Sequence, residues 1–494
     1  MKEVIIYGIM DIVSKGINFI LSPILTRVLT QNEYGAVALV STINALLSII
    51  WYLGADWAFP FFKSMSKPAE INHTIRVSTY VAIAGVFLTT LVFSVISSNT
   101  EIIKKFTGIY SLTTLFLVSF FFLISGVQYW FAYILRFMRR ATNYVVVTLI
   151  AGSVPLFIFF PLVYVFPKLN HLTLFYFSFC VMAFISAFLG YHYINKDGKA
   201  LSLKKLKFDK KLTYKMLEYG VPLMFAGSLY TIITQTSRFL LGILTNPADV
   251  AIYYLASMLS SIILTFKLWF STAWEPYLVD IISNQQPFNY IVEINRIFKF
   301  IVIFLFGLSA LASIWISNVV ELIYPQSYYK SSLIVPPLLL AQSFQGLSTV
   351  ANVSALIART YRFHLPVYSI ALIFNFLVSY LLIKIYGILG AAYGYMLTEL
   401  LIFIMWTYIA KRVLGNLELD VRSVIVFIVL CSAFSLIYSI DIYSVHYSLA
   451  IKVFFSVIII SLINFFAKRN KLKLIDNIIR LVFDIMKKRM NLEK

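Results

Sequence analysis

Residues 171–194 read HLTLFYFSFCVMAFISAFLGYHYI, and residues 195–215 read NKDGKALSLKKLKFDKKLTYK. The first stretch holds no Asp, Glu, Lys or Arg. It is as long as the roughly 20 apolar residues that a helix needs to cross a hydrocarbon layer. The second stretch holds eight lysines. An apolar span followed by a basic flank is the mark of a membrane helix that ends on the cytoplasmic side.

The same alternation runs through the whole chain. Of its 494 residues, 60% are hydrophobic and 13% are charged, and the mean hydropathy is +0.86. Soluble domains carry about 25% charged residues, so this composition cannot cover a water-soluble body. It excludes a cytosolic enzyme, a secreted disulfide scaffold and a disordered chain. The aromatic share of 17% suits lipid-facing packing and interfacial belts. The two cysteines, Cys180 and Cys431, lie far apart inside apolar runs and read as inert buried thiols. The first apolar stretch meets Asp11 and Lys15 and has no cleavage-site pattern, so no signal peptide is expected.

Fourteen spans are predicted: 4–25, 36–59, 77–97, 112–135, 143–166, 171–194, 216–244, 250–272, 297–320, 331–357, 361–385, 388–410, 422–440 and 448–467. The expected class is an all-α integral membrane protein with both termini on one side. Of the 41 Lys and Arg residues, 31 then fall on the side of the termini, 6 on the opposite side and 4 within spans. One missed helix would invert every later loop, so this asymmetry supports the count and makes both termini cytoplasmic. The net charge of +20 therefore reads as basic flanks of membrane helices rather than a nucleic-acid surface.

The longest polar stretch, 195–215, follows the sixth span. An even number of spans lets the next six repeat the orientation of the first six, as two parallel lobes related by an axis along the membrane normal. The expected organisation is an N-lobe at 1–194, a basic cytoplasmic linker at 195–215 and a C-lobe at 216–412. Two further helices at 413–467 and a tail at 468–494 complete it. In the tail, Leu472, Ile475, Ile478, Ile479, Val482 and Met486 recur at helical spacing, flanked by lysines and arginines. That pattern fits an amphipathic helix on an anionic membrane surface; a solvated tail is the alternative.

The signals for catalysis are absent. The five histidines have no HExxH spacing, and no GxxxxGK[ST] phosphate loop occurs. The longest predicted outer loop, about 98–111, is too small for a catalytic domain. No enzyme activity, cofactor or metal is expected.

Ionisable residues inside spans are then the informative ones, because each costs about 2.5–3.5 kcal/mol to insert and usually faces a cavity or a partner. Asp11 and Lys15 lie four apart on one helix face. They form an internal ion pair, or Lys15 faces a cavity and attracts an anion. Arg27, Arg238 and Lys267 each snorkel to an interface or join Lys15 on an anionic ligand. Lys452 reads as an interface anchor. Asp56, Glu275 and Glu399 are counter-ion or ion-coupling candidates, or helix-end residues at the interface.

These residues sit in segments with a family resemblance. Residues 14–56, SKGINFILSPILTRVLTQNEYGAVALVSTINALLSIIWYLGAD, resemble the opening of Wzx-type O-antigen and capsule repeat-unit flippases. These belong to the multidrug/oligosaccharidyl-lipid/polysaccharide exporter superfamily. EYGVPLMFAGSLYTIITQTSRFLLGILTNPADVAIYYLASML at 218–259 is similar to the start of the family's second lobe. The segment at 358–401, with Asn375 and the GILGAA turn, resembles its eleventh and twelfth helices. Relatives often place an Asp before the arginine of the seventh helix; here that residue is Ser237. The missing partner frees Arg238 for a ligand or weakens its role.

The resemblance implies a fourteen-helix, two-lobe exporter of undecaprenyl-diphosphate-linked oligosaccharide in the bacterial inner membrane, for O-antigen, lipopolysaccharide or capsule synthesis. It implies ion-coupled alternating access, in the manner of an antiporter, and membrane lipids, a polysaccharide polymerase and a chain-length regulator as partners. Cavity cations suit the anionic diphosphate, with Gln128, Tyr129, Trp130, Gln342, Gln345 and Asn375 as candidate glycan contacts. A cation-coupled multidrug exporter and a membrane-embedded polymerase are the alternatives. The topology has a direct test: reporter fusions after residues 140, 205 and 490 are expected to report cytoplasm, and those near 104 and 328 the outer face. A cytoplasmic signal at 104 contradicts it.

Overall fold

In lipid every backbone N–H and C=O must be paired within the protein, which a helix does by itself. The computed structural model describes residues 16–66, 70–98, 100–152, 154–196, 201, 209–284, 287–352, 363–414, 426, 428–433 and 449–469. Regular structure among them is helical, and 11 helices are long and apolar enough to cross a membrane. Contacts divide the chain into two units, Met1–Ala251 and Ile252–Lys494.

The first unit holds α1 (Gly16–Val28), α2 (Gln31–Ile50), α3 (Ala55–Met65), α4 (Ile71–Ser98) and α5 (Thr100–Thr107). It continues with α6 (Leu112–Phe137), α7 (Ala141–Gly152), α8 (Val154–Val165), α9 (His171–Asn195) and α10 (Lys210–Leu244). Helix α11 (Pro247–Asn284) passes into the second unit. There follow α12 (Pro287–Ile323), α13 (Ser331–Ala351), α14 (His364–Tyr386), α15 (Ile388–Leu414) and α16 (Leu449–Arg469).

Most predicted spans coincide with a helix, and the differences have identifiable causes. The expected span 36–59 is two helices, because the chain breaks between Ile50 and Ala55. The expected span 143–166 coincides with α7 and α8, which together make one candidate span, Ala141–Val165, with Pro161 in its interior. The basic linker 195–215 ends in helix: Asp209 caps α10 by accepting from the Leu212 N–H at 3.0 Å, and His73 Nε2 lies 3.1 Å from its carboxylate. Helix α10 packs on α2 and α3 within the first unit. The predicted tail helix, and most of 4–25 and 422–440, lie outside the described residues.

The break after α2 organises the first unit. Helix α2 is started by a reciprocal cap: the Glu33 N–H donates to Thr30 Oγ1 and the Thr30 N–H donates to the Glu33 carboxylate. It ends where Leu53 and Gly54 take positive φ values of 49° and 81°. The turn keeps its own bonds, Leu53 N to Ile50 O at 3.0 Å and Ala55 N to Tyr52 O at 2.8 Å. Gly54 is required twice over. Its φ is left-handed, and a Cβ there would lie 2.3 Å from the carbonyl carbon of Gly220 on α10. Two backbones thus meet in van der Waals contact, the close approach that small residues permit between membrane helices.

Around this contact lies a core of Phe59, Ile75, Ala82, Trp130, Ile134 and Leu135. The one polar atom of the Trp130 ring is satisfied, since Nε1 donates to Thr79 Oγ1 at 3.0 Å. On the other face of α3, Phe61 stacks on Tyr219 of α10 at 4.5 Å.

In the second unit, α13 is buried along nearly its whole length despite Pro336 and Pro337. Ser309 and Ser343 bond α12 to α13 at 2.8 Å. The GILGAA segment forms the α14–α15 hairpin, with Gly387 at φ 58°; a Cβ on Gly390 would lie 2.0 Å from the Leu382 carbonyl oxygen. Lys452 departs from its expected role as an interface anchor: it is buried and donates to Asn318 Oδ1 between α16 and α12.

The substitution Gly54→Ala is expected to destabilise the first unit by about 2 kcal/mol or more, because it adds left-handed strain to a backbone clash. Thermal unfolding of the purified protein in detergent checks this. A midpoint equal to wild type would contradict the close approach.

Candidate functional site

Once α3 starts afresh at Ala55, its residues at every third or fourth position line up as Asp56, Phe59 and Lys63. On α6 the same spacing aligns Tyr129, Tyr133, Arg136 and Phe137. The two stripes meet. Phe59 packs on Tyr133 and Phe137 with centroids at 6.3 and 6.0 Å, and Tyr133 packs on Trp130 at 5.6 Å. The Tyr133 hydroxyl donates to the backbone carbonyl of Asp56. The Tyr52 hydroxyl donates to Gly126 O at 3.0 Å, and Trp51 stacks on Tyr129 at 6.3 Å. Tyr129 is 50% exposed although Trp51 beside it is 1% exposed. Tyr129 thus stands partly exposed on a buried base.

Asp56 sits in the first turn of α3, where a carboxylate suits the helix dipole. Its Oδ1 is buried and makes no hydrogen bond. A buried polar atom left unpaired costs about 1–3 kcal/mol.

At the other end of the stripe the charge reverses. Helix α6 ends in a Schellman motif: Arg139 N donates to Arg136 O at 3.1 Å and Arg140 N to Leu135 O at 3.0 Å. The residue after such a cap takes the left-handed conformation and is usually glycine. Here it is Arg139, at φ 58°, at a cost of roughly 1–2 kcal/mol. Lys63 Nζ donates to the next carbonyl, Phe137 O, and Arg140 Nη1 donates to Tyr193 O at the end of α9. Burial, and then the Arg139 guanidinium beside it, hold the Lys63 ammonium below its ordinary pKa. Among the described residues, no carboxylate lies within ion-pair distance of Lys63, Arg136 or Arg139.

The residues singled out from sequence are distributed as follows. Asp11 and Lys15 lie outside the described residues. Arg27 is exposed at the end of α1 and donates to Pro23 O at 3.2 Å. Arg238 is half-buried on α10 beside the buried Ser237. Asp56 belongs to the stripe. In the second unit, Lys267 is half-buried on α11, Glu275 is in the same helix with its side chain outside the described residues, and Glu399 on α15 is 0% exposed.

Of the candidate glycan contacts, Tyr129 and the half-buried Gln342 present surface. Trp130, Gln128, Gln345 and Asn375 are buried; Trp130 is committed to Thr79, and the Asn375 amide donates to Thr398 Oγ1 at 2.9 Å. Sequence reasoning missed Tyr52, Tyr133 and the Lys63–Arg139 pair. The run RFMRR at 136–140 registers only as topological charge. Among the described residues, no group of three or more His, Cys, Asp or Glu side chains could hold a metal ion.

Comparison with known proteins places this architecture. The sequence matches the polysaccharide biosynthesis protein family over residues 1–282. The structure is similar to that of the lipid II flippase MurJ in an inward closed conformation, with TM-score 0.67 and 16% identity, covering 94% of this chain and 99% of that one. It is similar to an inward-facing multidrug resistance MATE transporter of the MOP superfamily, with TM-score 0.59 and 10% identity over 82% of this chain and 95% of that one. A point variant of the Vibrio cholerae MATE transporter VcmN matches with TM-score 0.51 and 14% identity over 84% of this chain and 95% of that one. No curated protein sequence matches the chain. The chain belongs to the polysaccharide biosynthesis protein family, and its fold is similar to those of a lipid II flippase and of MATE transporters. It is a multi-pass membrane protein, of the inner membrane in bacteria.

Proposed function

We propose that the protein is a flippase that carries a polyprenyl-diphosphate-linked oligosaccharide from the cytoplasmic to the outer leaflet of the bacterial inner membrane, for O-antigen, capsule or another surface polysaccharide. The observation that carries this reading is the pairing of a polysaccharide biosynthesis family match with a fold like that of a lipid II flippase along nearly the whole chain. A lipid-linked sugar diphosphate is anionic at the diphosphate, polar in its glycan and apolar in its tail. It needs cations, aromatic and polar walls, and a lipid-facing side from one protein.

In this reading Lys15, Arg27, Arg238 and Lys267 attract the diphosphate, and Asp11, Asp56, Glu275 and Glu399 serve as counter-ions or ion-coupling groups. The two six-helix lobes expected at 1–194 and 216–412 alternate access, coupled to an ion gradient. Asp56 is assigned this role on one observation. Its unpaired, buried oxygen on an otherwise open face is what a site that binds and releases a cation retains. The protein then performs no covalent chemistry and needs no cofactor. A polymerase and a chain-length regulator, acting on the product at the outer leaflet, are its expected partners.

Reconstitution tests the reading. Proteoliposomes loaded with a fluorescent polyprenyl-diphosphate oligosaccharide are expected to expose it to an external glycosidase faster than empty liposomes do. An imposed proton or sodium gradient is expected to change that rate in the wild type but not in Asp56→Asn. Extrusion of a cationic dye with no movement of the lipid-linked sugar would instead identify a multidrug exporter.

A further inference from the structure

The end of the α3–α6 stripe that the sequence predicts to be cytoplasmic carries more positive charge than topology or helix capping requires. Lys63 is accounted for as a cap on Phe137 O, and Arg140 as a cap on Tyr193 O. Arg139 and Arg136 make no such contact that the structure records, and neither they nor Lys63 meets a carboxylate among the described residues. A topological signal needs only positive charge somewhere near the helix end. It gives no reason to place an arginine at the left-handed position of a Schellman motif, where glycine is free of strain. Backbone strain that persists where a cheaper residue would fold better points to a use for the side chain. Lys63 Nζ meets the Phe137 carbonyl two residues before Arg139, so an ammonium and a guanidinium share the end of α6, with Arg136 in the last turn of that helix.

We propose that Lys63 and Arg139, supported by Arg136, form a phosphate subsite at the cytoplasmic end of α3 and α6 that receives the diphosphate of a polyprenyl-linked ligand. The inference rests on the substrate class proposed above and adds the place where that substrate is first held. The fork geometry of arginine grips two phosphate oxygens at once, and lysine adds charge without direction. The half-buried setting of Lys63 strengthens both contacts relative to open water. From this subsite the stripe leads along Phe137, Tyr133 and Phe59 to Asp56, so the anion would be handed from cations toward an aromatic wall and a carboxylate.

The test uses the full-length protein in nanodiscs of phosphatidylcholine, with farnesyl diphosphate as probe and phosphatidylglycerol as competitor. Arg139→Gly is the key variant, because glycine relieves the backbone and should leave the thermal midpoint equal to or above wild type. Binding of farnesyl diphosphate is expected to weaken by about tenfold or more in Arg139→Gly and in Lys63→Gln, as loss of one charge-assisted contact implies. Arg139→Lys is expected to recover part of the loss. Wild-type binding with Arg139→Gly unchanged and stable would overturn the subsite and leave the proposed substrate standing. Equal competition by phosphatidylglycerol would overturn it in favour of a general anionic-lipid anchor. Absence of farnesyl diphosphate binding in the wild type would defeat the substrate reading itself, and the subsite with it.

Discussion

The structure depends on one constraint: hydrocarbon offers no hydrogen bonds, so backbone can leave a helix inside the bilayer only where protein covers it. The turn from Trp51 to Gly54 is such a place. It keeps its own bonds, and Gly54 rests directly on the backbone of Gly220. Because the second span breaks there, α3 begins a new register. That register sets Asp56, Phe59 and Lys63 against Tyr133 and Phe137 of α6. Without the break, α2 would run on and a different set of side chains would meet α6.

The resulting stripe is electrostatically polar along its length. A carboxylate with an unpaired buried oxygen stands at one end, and three cations without carboxylate partners among the described residues stand at the other. Tyrosines and phenylalanines lie between. Packing alone explains neither end. An unsatisfied carboxylate oxygen and a left-handed arginine both weaken the fold, by about 1–3 and 1–2 kcal/mol respectively. Natural proteins keep such costs where a ligand repays them. In the proposed function, the anionic end of a lipid-linked ligand is assigned to the cations and a coupling cation to Asp56.

How much of this was legible in the sequence differs by level. Helix positions were, because apolar runs near 20 residues and basic flanks are one-dimensional signals; 171–194 and 112–135 match α9 and α6 almost residue for residue. The break in 36–59 was not, since the residues WYLG look apolar and only the Gly54–Gly220 contact shows why the chain turns. Asp56 stood out because a carboxylate in a span is rare. Lys63 and Arg139 did not, because the same residues serve as ordinary positive-inside charge until three-dimensional proximity and a positive φ set them apart. Trp130 invited a role as a ligand contact by residue type, yet its ring is buried and its Nε1 donates to Thr79.

The central claim is that the α3–α6 stripe is a wet face within a membrane helix pair, and α6 supplies its own control. Tyr129 is 50% exposed on the stripe, and Phe116 on the same helix is 69% exposed. In a variant with Cys180 and Cys431 replaced, single cysteines at 129 and 116 can be labelled in intact membranes with a hydrophilic maleimide. If the stripe faces water and Phe116 faces lipid, position 129 is expected to react readily and position 116 to resist. Equal reactivity at the two positions, or protection at 129, would contradict a wet stripe.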